Sequence, residues 1–132
     1  MKAISVNELL KDAEALANGF TSEARRRSAV SRAYYAAYHR CLAWIRLLPN
    51  CPQPPTYGSV HLWLIDYLRH PDPSWDEEIA ERSRALGRLM LAQRNRRVHA
   101  DYELEKPVNQ KVMNDQIEGL RNAFAACAHP DT

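Results

Sequence analysis

The sequence predicts an all-α protein, folded as one antiparallel bundle of four or five helices. Apolar residues recur at steps of three and four along most of the chain, which is the spacing of one helix face. No segment alternates between apolar and polar residues for long enough to indicate a sheet. With 132 residues, 45% of them hydrophobic, the chain has the size of one domain, so we expect residues 1–132 to form a single helical domain.

The first two helices are predicted from their N-terminal signals. Ser5 followed by Glu8 is a capping box, and the helix that it opens is expected to end before Gly19. A second and much longer helix follows, for which Thr21 or Ser22 can act as the N-cap.

The second helix is expected to run to Pro49 and to carry two apolar faces. One is a continuous core stripe, and the face beside it contains Ser31, Tyr35, Tyr38 and Leu42. A helix that is apolar on most of its circumference is deeply buried or shared with a partner. We therefore expect this helix at the centre of the bundle, and its second face predicts a homodimer.

Three further helices complete the expected bundle. The third begins near Ser59 and ends at His70, because a residue that precedes proline avoids the helical region. Ser74 and Glu77 form a second capping box, which predicts the start of a fourth helix. Pro107 suits the first turn of a fifth.

The positive charge of the chain is local. The formal net charge is only +2, so the molecule as a whole lacks the field that holds nucleic acid without sequence preference. Six arginines nevertheless fall between residues 82 and 97 with no acidic residue among them. They are Arg82, Arg84, Arg88, Arg94, Arg96 and Arg97. Any nucleic acid is expected to bind there.

The sequence predicts a cytoplasmic protein. Charged residues interrupt the N-terminal region where a signal peptide needs an apolar core, and the most apolar run, residues 41–48, is too short to span a membrane. Three cysteines are an odd number without CxxC spacing, which argues against a disulfide framework and a zinc knuckle.

The segment RNRRVH, residues 94–99, resembles the ribonuclease motif of HEPN domains, which is an arginine, a polar residue, three more positions and a histidine. Two other segments agree. SRAYYAAYH, residues 31–39, is similar to the second helix of HEPN proteins, and ADYEL, residues 100–104, to the stretch that follows the motif. The order of elements agrees as well, so the resemblance covers roughly residues 5–128.

The resemblance implies that Arg94, Asn95 and His99 are catalytic. Their chemistry suits RNA cleavage, in which the 2′-hydroxyl attacks the neighbouring phosphate. His99 can exchange protons near neutral pH, and Arg94 offers a charged planar fork that matches two phosphate oxygens. Asn95 is expected to orient one of them by hydrogen bonding. The scheme requires no metal and no cofactor, and we expect none.

Four further arginines are expected to bind RNA: Arg88, Arg96 and Arg97 of the basic segment, and Arg32 of the second helix. The alternative interpretation of the basic segment is a solvated, arginine-rich helix face, since surface charge is common.

The spacing of the motif imposes a geometric condition. Residues five apart on a regular helix point about 140° away from each other. Arg94 and His99 can meet only if the helix bends or ends near Val98, or if two chains assemble the site across a two-fold axis. In HEPN proteins two copies of the motif typically meet at a dimer interface, so the resemblance implies a homodimer with a composite site.

Tyr102 and Asp101 follow the motif directly. In HEPN toxins that are paired with a nucleotidyltransferase antitoxin, the modifiable tyrosine usually follows the histidine by two residues, whereas Tyr102 follows His99 by three. Tyr102 is therefore either a modification site or a support for the motif, and Asp101 either a partner for an arginine or a catalytic group. Three other histidines lack partners at suggestive spacing and are interpreted as structural: His61, His70 and His129.

Three functions remain open on the sequence alone. The leading hypothesis is a metal-independent endoribonuclease, the toxin of a toxin-antitoxin or phage-defence pair, with a nucleotidyltransferase-like antitoxin as a further partner. The alternative is a non-catalytic HEPN module that binds nucleotide, RNA or a partner protein through the same face. The third is a helical scaffold whose basic helix mediates oligomerisation.

Overall fold

A computed structural model describes residues 4–51, 53–55 and 58–128, and this part of the chain contains five helices and no strand. The prediction of an all-α helical bundle is confirmed. His129 lies outside the described residues. The helices are α1 (Val6–Ala17), α2 (Glu23–Ile45), α3 (Val60–Arg69), α4 (Glu77–Tyr102) and α5 (Gln110–Ala126).

Serine caps open the first three helices, as their local sequence predicts. The Ser5 side chain accepts a hydrogen bond from the Glu8 backbone N–H at 3.2 Å, and Ser22 rather than Thr21 accepts one from Arg25 at 3.1 Å. Ser59 does the same at the start of α3. Each serine satisfies a backbone donor that the first turn of a helix leaves without an intrahelical partner.

The predicted starts of the last two helices are wrong by a few residues. Asp76, not Ser74, caps α4, because its carboxylate accepts from the Ile79 N–H at 2.9 Å, while Ser74 lies in the preceding turn. Pro107 precedes α5 instead of lying in its first turn. The N-cap is Asn109, whose side chain accepts from Val112 at 2.9 Å.

Helix α2 lies at the centre of the bundle, as expected, with α1, α4 and α5 packed against it, while α3 packs on α4. Its core stripe contributes Tyr34, Trp44 and Ile45, all almost fully buried. The second apolar face is only partly open. Tyr38 and Leu42 are buried within the chain and Tyr35 is 43% exposed, so most of this face follows the first of the two alternatives, burial in the bundle.

Three consecutive arginines at the start of α2 bind backbone carbonyls of the chain itself. Arg25 donates to the Leu16 and Ala15 oxygens at the end of α1, at 2.7 and 2.8 Å. Arg26 donates to the Val108 oxygen at 2.6 Å, which holds the connection before α5. Arg27 reaches the end of α4. This run therefore fixes the ends of neighbouring helices. No helix of the described ranges has the length and apolarity needed to cross a membrane.

Candidate functional site

Helix α4 is unbroken through the whole RNRRVH motif. It ends at Tyr102, and the backbone N–H of the capping residue Glu103 still donates to the His99 oxygen at 3.2 Å. The alternative in which the helix ends near Val98 is therefore wrong. Arg94 and His99 point about 140° apart, as residues five apart on a helix do.

Arg97 and Asp101 line an open cavity of about 520 Å³ between α2, the start of α3 and α4. Arg32, another of the arginines predicted to bind RNA, also lines the cavity. The other lining residues are Arg27, Ser28, Ser31, Tyr34, Tyr35, His61 and Ala100. Arg94 does not line the cavity but lies near enough for its charge to lower the pKa values of Tyr34 and His61.

Asp101 links the two helices that form the main walls of the cavity. Its Oδ2 atom accepts from Arg97 Nε at 2.8 Å and from Ser31 Oγ at 3.1 Å, so it ties α4 to α2. Both donors act on the same carboxylate oxygen, and one of them is a cation. Asp101 is thus a partner for an arginine, one of the two roles that the sequence leaves open.

Two polar atoms beside the cavity are buried without a hydrogen-bond partner in the described structure: the Tyr34 hydroxyl and Nδ1 of His61. Burial is the main cause that raises the pKa of Tyr34 to about 12. Burial also lowers the pKa of His61, and the charges of Arg97, His39 and Arg94 lower it further. His61 is therefore a neutral imidazole at pH 7. An unpartnered buried polar group in a cavity wall is a candidate for ligand contact.

The interpretation of His61 as merely structural overlooks this position. Its ring centroid lies 5.4 Å from that of Tyr34 and 4.4 Å from that of Tyr38, on the α2 segment that resembles the HEPN helix. The sequence spacing between His61 and that segment carries no signal, because the two belong to different helices. Only the resemblance of residues 31–39 points to this part of the molecule.

His99 lies on the other side of α4, outside the cavity. Its Nε2 is 2.9 Å from the Lys106 carbonyl oxygen. Because a carbonyl can only accept, this hydrogen bond requires a proton on Nε2, and in the neutral ring Nδ1 is then the atom that can accept a proton. The hydrogen bond thus distinguishes the two ring nitrogens of His99.

Asn95 and Tyr102 occupy the exposed strip of α4 between the directions of Arg94 and His99. At about 100° of rotation per residue, Asn95 lies about 100° and Tyr102 about 80° around the helix axis from Arg94. His99 lies about 140° from Arg94 in the same direction, so both residues fall between the two motif residues. Asn95 is exposed, and 67% of the Tyr102 surface is accessible. Arg97 lies 5.5 Å from the Tyr102 ring centroid, a cation-π contact that links this strip to the cavity side.

The basic segment is less positive in three dimensions than in sequence. Its first three arginines are each paired with a glutamate of the first turns of α4: Arg82 with Glu78, Arg84 with Glu77 and Glu81, and Arg88 with Glu81. Arg94 and Arg32 form no ion pair within the described residues, and Arg96 donates to the Gln116 side-chain oxygen at 3.2 Å. Arg97 is paired with Asp101 at 2.8 Å, so among the arginines predicted to contact RNA only Arg94 and Arg32 have neither an ion pair nor a side-chain hydrogen bond in the described residues.

Four predicted RNA-binding residues are thus divided among separate surfaces. Arg32 and Arg97 share the cavity. Arg96 lies by a shallow depression between α4 and α5, together with Asp115 and Glu118. Arg88 lies two turns nearer the N-terminus of α4, close to Glu81. Only Arg32 and Arg97 lie on one shared surface.

No three His, Cys, Asp or Glu side chains of the described chain come close enough together to hold a metal ion. Comparisons with models of known protein families, with curated proteins and with solved structures found no match. The side chains themselves are therefore the evidence for function.

Proposed function

We propose that this chain is a metal-independent endoribonuclease of HEPN type, whose active site is completed by a second copy of the chain. The observation that carries the proposal is the arrangement of His99, in which the Lys106 carbonyl fixes the proton on Nε2 and Nδ1 is the accepting nitrogen. An imidazole with one nitrogen committed and the other able to take a proton suits a general base.

The reaction assigned to this base is transesterification within RNA. His99 takes the proton of a 2′-hydroxyl, the 2′-oxygen forms a bond to the adjacent phosphorus, and the bond to the 5′-oxygen breaks as that oxygen takes a proton from water. His99 then returns its own proton to the solvent. Arg94, which has no acidic partner in the described structure, neutralises the additional negative charge on the phosphate. The products are a 2′,3′-cyclic phosphate and a free 5′-hydroxyl.

The geometry of α4 supports the proposal of a second copy. Arg94 and His99 flank the strip that holds Asn95 and Tyr102, and a single chain does not bring their side chains together. A second molecule docked on this exposed strip lies beside both residues. Arg94 and His99 of each copy then border one interface, which supplies a complete set of groups from two chains.

The RNA backbone is assigned to the cavity side. Arg32, Arg97 and Ser31 line the cavity, and Tyr34 contributes to its wall. Arginine forks and hydroxyls are the donors that proteins use for phosphate and sugar oxygens. As the toxin of a toxin-antitoxin or phage-defence pair, the enzyme would act on cellular RNA and arrest growth until an antitoxin, nucleotidyltransferase-like in the HEPN pairs, restrained it.

The proposal is tested by incubating the purified protein with RNA in EDTA and identifying the product ends. We expect cleavage with cyclic phosphate ends, and its loss in His99→Ala and Arg94→Ala. Arg88→Ala is the matched control, because Arg88 lies on the same helix and is already paired with Glu81. Undiminished cleavage by His99→Ala would rule out this mechanism.

A non-catalytic RNA-binding module is the second candidate, and one observation favours it. The cavity holds Arg32, Arg97 and His61 but not His99, so ligand binding there does not require the motif histidine. Under this alternative the wild type binds RNA without cleaving it, and His99→Ala binds equally well. Growth arrest on expression, relieved by His99→Ala, favours the nuclease instead.

A further inference from the structure

We propose that Arg27 is a positioning residue for His99. It holds the Lys106 carbonyl oxygen against the end of α4, and this oxygen in turn fixes the orientation and tautomer of the His99 imidazole. The inference rests on the proposed nuclease function only for its effect on rate, because the hydrogen-bonding arrangement exists whether or not the protein cleaves RNA.

Arg27 is itself firmly held. It lies in the first turns of α2 with 12% of its side chain exposed, and its Nε donates to both carboxylate oxygens of Glu23, at 2.7 and 2.9 Å. The single Nε–H is shared between the two carboxylate oxygens, and this bifurcated hydrogen bond holds one edge of the rigid, planar guanidinium against Glu23. The two terminal nitrogens therefore point in defined directions, towards α4.

The two terminal nitrogens of Arg27 donate hydrogen bonds to several backbone carbonyl oxygens at and after the end of α4. Nη1 donates to the Ala100 oxygen at 2.8 Å and to the His99 oxygen at 3.3 Å. Nη2 donates to the Lys106 oxygen at 2.6 Å and to that of Leu104 at 3.3 Å. A cation at a helix C-terminus also interacts favourably with the helix dipole. One side chain thus closes the end of the helix and folds the following turn back over it.

The Lys106 oxygen accepts from two donors at once, Arg27 Nη2 at 2.6 Å and His99 Nε2 at 2.9 Å. Without Arg27, Leu104 and Lys106 lose their hydrogen bonds to α2, and the Lys106 carbonyl is no longer held in one position relative to the imidazole. His99 would then rotate and exchange its ring proton with water. Its Nδ1 would no longer be presented in one direction, and a general base depends on such alignment.

Three variants isolate this effect. Arg27→Gln removes the charge and the fork, and Arg27→Lys keeps the charge and folding support but cannot reach several carbonyls at once. Arg25→Gln is the matched control, because Arg25 belongs to the same run and caps α1 in the same way, through Leu16 and Ala15. Lys106→Ala is a second control that removes a side chain but leaves the backbone oxygen in place.

The experiment is nitrogen-15 NMR of the His99 ring, assigned by comparison with His99→Gln. In the wild type, Arg25→Gln and Lys106→Ala we expect a protonated Nε2 whose hydrogen exchanges slowly enough to be observed. In Arg27→Gln we expect that hydrogen to be lost to exchange with water and the two tautomers to mix, and Arg27→Lys to be intermediate. If Arg27→Gln does not fold, Arg27→Lys gives the measurement. A His99 spectrum like that of the wild type in the folded Arg27 variants would overturn the proposal.

Kinetics provide a second readout. If the chain cleaves RNA, Arg27→Gln should lower kcat by about tenfold or more and leave KM nearly unchanged, because misplacement of a base affects the chemical step rather than RNA binding. A change confined to KM would contradict the positioning role. If the wild type cleaves no RNA but the His99 spectrum of Arg27→Gln still differs from that of the wild type, the role of Arg27 is upheld and the nuclease function is ruled out.

Discussion

Arg94 and His99 flank one exposed strip of an unbroken helix, with Asn95 and Tyr102 between them. Their side chains point about 140° apart, so one chain does not bring the two motif residues together. Arg94 lies on the side of the cavity between α2 and α4, and His99 lies on the side of the Lys106 carbonyl. In the proposed dimer, the second copy of the chain docks on the strip between Arg94 and His99.

Arg32 should matter more for RNA binding than Arg88. Arg32 lines the cavity without an acidic partner in the described structure, whereas Glu81 offsets the charge of Arg88. We expect Arg32→Ala to weaken RNA binding. In a plot of the logarithm of the association constant against the logarithm of salt concentration, its slope should fall by the equivalent of about one phosphate contact. Arg88→Ala should change neither the affinity nor the slope. Fluorescence anisotropy across a salt series measures both, and equal losses in the two variants would refute this assignment.

Tyr34→Phe should separate stability from binding. The Tyr34 hydroxyl is buried and unpartnered in the described structure, and the residue is only 2% exposed. Removing an unsatisfied buried polar group is expected to raise the free energy of unfolding by up to about 1 kcal/mol. If the hydroxyl serves a ligand, RNA affinity should fall in the same variant. Urea unfolding that shows a clear loss of stability would mean that the hydroxyl has a structural partner.

The folded state should lose stability at high pH through Tyr34. Its pKa is raised from an ordinary value near 10 to about 12, with burial as the main cause. The unfolded chain therefore releases this proton before the folded chain does, and stability that is present below pH 10 is lost as the pH rises towards 12. Tyr34→Phe should lack this component. The comparison is made by urea unfolding at pH 9 and pH 11, with Tyr35→Phe as the control.

His61 should make the fold sensitive to mild acid. Burial lowers its pKa, and Arg97, His39 and Arg94 add to the effect, so the folded state resists protonation. The unfolded chain binds this proton below about pH 6.5, and stability that is present above that pH is lost as the pH falls through the lowered pKa. His61→Phe should reduce the difference in unfolding midpoint between pH 7.5 and 5.5. A difference as large in His61→Phe as in the wild type would contradict this account.

The helices were predictable where their signals are local. Ser5, Ser22 and Ser59 each cap through a backbone N–H three residues away, so a short window of sequence contains the whole interaction. Ser74 and Pro107 fail because a better cap lies two residues further on in each case, at Asp76 and Asn109. Choosing between neighbouring caps requires knowledge of where the chain enters the bundle, which local sequence does not contain.

The site was predictable only on the motif helix. Arg94, Asn95 and His99 lie within six residues, but Arg27 meets the Lys106 oxygen across 79 residues of chain. The run of three arginines at residues 25–27 has the composition of a nucleic-acid patch, yet each of its members donates to backbone carbonyls. By contrast, the pairing of Arg82, Arg84 and Arg88 with upstream glutamates follows spacings of three, four and seven residues along α4, so the sequence contained this signal.

Mixing two inactive variants tests the composite site most directly. Arg94→Ala and His99→Ala are each expected to lack RNA cleavage, because each dimer would then lack one group in both sites. After subunit exchange about half of the dimers contain one of each chain, and one of the two sites in those dimers is intact, so cleavage should return to about a quarter of the wild-type rate. A mixture that stays inactive after verified exchange, beside an active wild type, would contradict a site built from two chains.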